Sequence, residues 1–249
     1  MSIYFIFIYL LPSFNSKIEY SPLLQQSFLS SSLFEKIRLE NRFKFDKGND
    51  CLLAVDGITT PIVEPRPFIP SFSRVWYDEK TNGPGLVYEV ATSILGGEIC
   101  WVNGPFPCGA YNDWKIFKEC GLKDCLEPNE RVEADDGYIA GAPEYTKTRS
   151  SVFVSKEAGR MRRRVRARHE VMNGKLKAWK ILSTPFRHGR HRENNGPDSK
   201  GLSSHQDAFY AVAVITQTRI KNGEIEVFSC EHYNDTFNNY DSDEDKKED

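Results

Sequence analysis

No two cysteines of this chain stand in a C-x-x-C pair. Cys51, Cys100, Cys108, Cys120, Cys125 and Cys230 also accompany no C-x-x-C…H-x-x-x-H pattern, so a structural zinc is excluded as the organising device. Several lie in apolar runs, where a buried free thiol is the expected state, as in a reducing compartment. There is no G-x-S-x-G, no P-loop and no G-x-G-x-x-G. Nucleophilic serine chemistry, nucleotide hydrolysis and dinucleotide binding thus lose their sequence basis. His188, His191 and His205 are too scattered to suggest a metal site. Long apolar runs are lacking as well. The opening one, MSIYFIFIYLL, stops at Pro12, short of the roughly 20 residues that cross a bilayer, and no membrane partner is expected. It has no basic residues ahead of it, as a secretory signal would. A cleaved signal, a misassigned start and a short buried strand all remain open for it.

Acid is the scarcest thing in one part of the chain. Residues 160–192 hold twelve Lys or Arg and a single carboxylate, Glu170. Residues 235–249 have the reverse balance, seven acids against two lysines, and read as a solvated, disordered tail. The net charge of −2 conceals this division. A segregated basic segment points to a polyanionic partner. Its alternative, a solvated helix with surface ion pairs, has too few local acids to supply the pairs. RRRVRAR can also serve as a nuclear import signal.

With 249 residues, one sizeable domain with poorly ordered ends is expected. The spans are a poorly defined segment over 1–49, a domain over 50–230 and the acidic tail over 231–249. A short helix is expected over 32–41. CLLAVDG reads as a buried central strand ending at Asp56. GLVYEVATSI and GEICWV read as an antiparallel hairpin turning at Leu95, Gly96 and Gly97. NDWKIFKECG reads as a helix capped by Asn112 or Asp113. RVEADDGY is a fourth strand entering an acidic turn. A long basic helix should run over 156–182, with Val165, Met172, Leu176 and Trp179 toward the core. Arg166, Glu170, Asn173 and Lys177 share its neighbouring face. A final amphipathic helix is expected over 205–220. The fold class is therefore α/β: an RNase H-like fold, a mixed sheet with antiparallel first three strands and helices on both faces.

Asp56, Asp135 and Glu170 would stand on the first strand, after the fourth, and on the long helix. Carboxylates are hard ligands for Mg2+ or Mn2+, and a two-ion site can activate water and stabilise a leaving 3′ oxygen. The plain alternative for Asp56 and Asp135 is turn chemistry beside a glycine.

AVDGITTPIVEP, WVNGPFPCGAYND, EADDGYIAG and RARHEVMNGKLKAW, in that order, together resemble the type 4 transposase DDE endonuclease domain, the Harbinger-like branch of the DDE superfamily. The resemblance covers residues 50–218. It implies catalytic and metal-ligating roles for Asp56, for Asp135 in D-x-G-Y, and for Glu170 in R-x3-E-x6-K, where Arg166 and Lys177 complete the motif. Thirty-four residues separate Asp135 from Glu170. Asp113 matches a recurrent family acid of accessory role, which helix capping explains equally well. Arg163 stands where bacterial relatives carry Tyr, and it joins Arg166 and Lys177 as a DNA contact. The implied cofactor is two divalent ions, Mg2+ or Mn2+. The implied partners are DNA and a separate DNA-binding accessory protein, and the implied location is the nucleus, with the apolar N-terminus keeping a secretory route open. No helix-turn-helix precedes Asp56, so a truncated copy is expected. A non-catalytic DNA-binding descendant of a transposase, and a host RNase H-like nuclease, are the rival readings.

Overall fold

The computed structural model describes residues 37–45, 50–64, 74–149, 156–187 and 199–227. The apolar start, residues 32–36 of the expected first helix and the acidic tail lie outside these. Of that first helix, the described part is a 3-10 turn displaced toward the C-terminus, Leu39–Phe45.

A mixed sheet with helices on both faces forms the body. Its long strands are β1 (Cys51–Pro61), β3 (Gly83–Ser93) and β4 (Ile99–Pro107); β2 (Tyr77–Asp78), β5 (Arg131–Glu133) and β6 (Thr146–Lys147) are short. β3 pairs antiparallel with both β1 and β4, while β1, β5 and β6 run parallel. These five strands thus lie in the order β4-β3-β1-β5-β6, and β2 adds a short pairing to β3. The expected hairpin is present. Gly97 takes a positive φ of 70° in its turn, and its N–H donates to the Ser93 carbonyl at 2.9 Å.

The first strand differs from expectation. It continues five residues past Asp56, because β3 offers an unbroken antiparallel register from Leu53↔Ser93 to Pro61↔Gly85. Asp56 therefore emerges from the middle of a strand. Period-two alternation sorts the neighbours of β1 onto two faces. Leu53 and Val55 pack with Phe117, Val132 and Tyr138, on the side of α1 (Asp113–Glu119). Ile58 and Ile62 pack with Met172, Leu176, Leu182 and Phe209, on the side of α2 (Lys156–Lys177), α3 (Lys180–Ser183) and α4 (Ser199–Lys221).

The long basic helix is two helices. Trp179 leaves helical geometry at φ −79° and ψ 118°, and its ring rests on the core that also takes Leu182. α4 lies along the edge strand β4. The Ile99 N–H donates to Gln217 Oε1 at 2.7 Å, and Tyr210 Oη and Gln206 Nε2 donate to the carbonyls of Val102 and Gly104. The Tyr88 ring stacks on Phe209 with centroids 3.7 Å apart. No helix among the described residues is long and apolar enough to cross a membrane.

Not all the basic residues of α2 face outward, contrary to the sequence reading. Arg162 and Arg168 are buried. Arg162 Nε donates to Glu133 Oε1 and Oε2 at 2.8 and 3.0 Å, and its Nη2 donates to the Thr148 carbonyl. Arg168 Nη2 donates to the Ser93 carbonyl at 2.7 Å. These two cations join the helix to the sheet. Arg160, Arg163, Arg164, Lys175 and Lys177 are exposed.

Removing one partner of a buried pair strands the other charge, at about 3–5 kcal/mol. Glu133→Ala should lower unfolding stability in urea by that order. The double variant Arg162→Met/Glu133→Leu should unfold closer to wild type than Glu133→Ala does, since it buries no lone charge.

Candidate active site

Asp56, on the α2 side of β1, is held at both oxygens. Oδ1 accepts from the Gly57 N–H at 2.8 Å and Oδ2 from Asn173 Nδ2 at 3.0 Å. His169 Nδ1 lies 3.7 Å from the same Oδ2. The side chain is 21% exposed, open enough to meet a ligand and enclosed enough to resist ionising. Its carboxyl is pushed up to about 6, first by burial, then by Asp135, with Glu170 adding to the rise. The hydrogen bonds from Gly57 and Asn173 oppose this.

Asp135 follows β5 by two residues and caps the 3-10 turn Asp136–Gly141, accepting from the Gly137 N–H at 2.8 Å. It is exposed, and the turn chemistry expected of DDGY is present. Glu170 is exposed on α2. Two further elements therefore bring Asp135 and Glu170 within electrostatic reach of Asp56.

A fourth acid joins them. Asn112, not Asp113, caps α1, accepting from the Lys115 N–H at 2.8 Å. Asp113 is thus released from the capping role and turns toward the sheet. A Cβ built on Gly57 would meet Asp113 Oδ1 at 2.3 Å, and one built on Gly137 would meet Asp113 Oδ2 and Asp135 Oδ1, each at 2.9 Å. Two glycines clear the space in which the Asp113 carboxylate lies. Burial, then Asp135 and Asp56, push Asp113 up to about 6, with Lys80 opposing.

Glu89 pairs with Gly57 across the β1–β3 ladder and is fully buried. Its Oε2 accepts from Trp101 Nε1 at 3.1 Å. Burial pushes it up to about 8 against that bond, with Asp113 adding to the rise, so it is largely protonated at pH 7.

Among the cations expected to contact DNA, Arg163 and Lys177 are exposed and Arg166 is half-buried. Burial and Arg162 lower the pKa of Arg166, while Glu133 and Asp136 act the other way, so this guanidinium lies toward the β5 end of the site. Among the described residues, no three His, Cys, Asp or Glu side chains are gathered as ready ligands around one point. The donor set nevertheless fits a hard divalent cation. It consists of carboxylate oxygens, and Asp56 and Asp113 are both held above their ordinary range partly by the charge of neighbouring acids, Asp135 first among them, a repulsion that a cation relieves.

The sequence assigned no role to His169 or Glu89, and to Gly57 and Gly137 only that of turn residues. His169 and Asn173, spaced i and i+4 beside Glu170, were a usable signal for one inward helix face. Nothing local marks Glu89, whose place depends on pairing between strands.

Asp113 supplies a pH test in EDTA. Its folded pKa of about 6 exceeds the 3.8 of a free aspartate, so its destabilising effect is absent below about pH 4 and full above about pH 6. Asp113→Asn should match wild type in urea unfolding near pH 4 and exceed it at pH 7. Equal midpoints at pH 7 would show that the carboxylate is not strained. Comparison with family models, curated proteins and solved structures finds no match for this chain.

Proposed function

We propose that the chain is a metal-dependent DDE-type endonuclease of the Harbinger-like transposase kind, with an RNase H-like fold, acting on DNA phosphodiester bonds. One observation carries the reading: the Asp56 carboxyl feels both Asp135 and Glu170, although the three come from β1, from the turn after β5 and from α2. The strand order β4-β3-β1-β5-β6 supports it, with antiparallel pairing on one side of β1 and parallel pairing on the other. So does the placement of helices on both faces of the sheet.

Asp56, Asp135 and Glu170 would hold Mg2+ or Mn2+, with Asp113 close enough to modulate the charge they present. Such ions, when bound, polarise phosphoryl oxygens and raise the acidity of water. The chain's own contribution is positional. The Gly57 N–H and Asn173 orient the Asp56 carboxylate, the turn at Gly137 orients Asp135, and the arginines of α2 bring positive charge to the rim. Arg163 and Lys177, both exposed, would meet the DNA backbone, supplying affinity without base information. A nuclear location and a separate accessory protein for site choice follow from this reading.

The test is nicking of supercoiled plasmid with Mg2+ or Mn2+. Wild type should nick only with metal, and Asp56→Asn and Glu170→Gln should fall to background while still unfolding cooperatively in urea, at midpoints no lower than wild type. Absence of nicking, with salt-sensitive DNA binding retained, would leave a non-catalytic DNA-binding protein. Lys177→Ala should weaken binding to all sequences alike and reduce the slope of log affinity against log salt by about 1.

A further inference from the structure

We propose that His169 and Asn173 are positioning residues for the Asp56 carboxylate, and that their joint grip on β1 and β3 sets where Glu170 stands relative to it. The inference deepens the endonuclease reading and rests on it.

Asp56 and Val90 face each other in the β1–β3 ladder. His169 approaches this pair from α2, with Nε2 3.0 Å from the Val90 carbonyl oxygen. A carbonyl can only accept, so the ring carries its proton on Nε2 and keeps a lone pair on Nδ1. That nitrogen lies 3.7 Å from Asp56 Oδ2 and, being an acceptor, makes no bond to it, so His169 acts on Asp56 by fixing the helix that carries Asn173. Asn173 donates from Nδ2 to the same oxygen. One carboxylate oxygen is therefore held by its own strand and the other by the helix.

The spacing of the two side chains makes this a register device. Residues i and i+4 lie on one helix face, and Glu170 follows His169 on the exposed side. A one-residue slip of α2 moves it about 1.5 Å and turns it by about a quarter of a turn. Either displacement would take His169 from Val90 and Asn173 from Asp56 together. While both contacts hold, Glu170 has one height and one heading above β1.

Packing alone does not account for the choice of these residues. Both are buried, and His169 Nδ1 and Asn173 Oδ1 form no well-made hydrogen bond, their interaction being with each other. A polar atom buried without a well-made hydrogen bond destabilises the fold, which an apolar side chain of similar volume avoids. Two such atoms lie where an acid must be aimed, at the expense of stability.

Equilibrium Mn2+ binding, followed by the electron paramagnetic resonance signal of free Mn2+, tests this beside plasmid nicking. His169→Ala and Asn173→Ala should each weaken Mn2+ binding or slow nicking about 10–100-fold, the usual effect of removing a group that orients a metal ligand. Salt-dependent DNA binding should be that of wild type. His169→Gln should recover most of the loss, because its amide N–H can reach the Val90 carbonyl. Alanine variants that bind Mn2+ and nick as wild type does would overturn the positioning role and leave the endonuclease reading intact. The same holds if only their unfolding midpoints fall. A wild-type chain that neither binds Mn2+ nor nicks would remove both. Should His169→Ala fail to fold, Asn173→Ala decides, since the bond it gives up is the one to Asp56.

Discussion

The buried pair between Arg162 and Glu133 is the constraint on which the arrangement of the site depends. Glu133 ends β5, two residues before Asp135, and Arg162 lies two turns before Glu170 on α2. One N–H of Arg162, shared between both oxygens of Glu133 in the interior, thus ties the element that presents one acid to the element that presents another. Two ions removed from water gain little net stability over a well-packed apolar pair. What they add is direction. A guanidinium meets a carboxylate in few orientations, and the Thr148 carbonyl fixes a further N–H of Arg162. The rotation of α2 about its axis is thereby constrained in its first half, as His169 and Asn173 constrain it farther along.

The site itself concentrates negative charge on both faces of one strand. Asp56 faces α2, whereas Asp113 approaches Gly57 from the side of α1, where Glu89 is also buried. Positive charge from Arg162 and Arg168 is committed to internal bonds, and the exposed cations lie along the outer surface of α2. The acids are therefore not neutralised from within. They share the burden through raised proton affinities, which differs from the usual fate of buried carboxylates paired with arginine.

Much of this was legible in the sequence because it is written in local pattern. The continuous apolar run before Asp56 identified a buried strand, Leu95-Gly96-Gly97 identified the hairpin, and DDGY identified a turn with an acid at its cap. Other features depend on partners distant in sequence. Nothing within CLLAVDG says that β3 will supply pairing out to Pro61. Arg162 and Arg168 continue the three-and-four spacing of Val165, Met172 and Leu176, but their charge masked it, because a long cation on an amphipathic helix can serve either side. The break at Trp179 is of the same kind: the ring's place in the core, not a proline or glycine, ends the helix. The part of Asp113 was hidden by a local ambiguity, since both Asn112 and Asp113 suit a cap and only the fold shows which one takes it.

The contact between Gly57 and Asp113 bears on how such a chain can change over generations. The smallest side chain at position 57 would overlap the Asp113 carboxylate, while its next contact, Val87 at 3.4 Å, is an ordinary one. An acid lost from position 113 opens room at position 57, but a glycine lost first meets an occupied space. The two positions form an ordered lock, in which drift can pass in one direction and is blocked in the other.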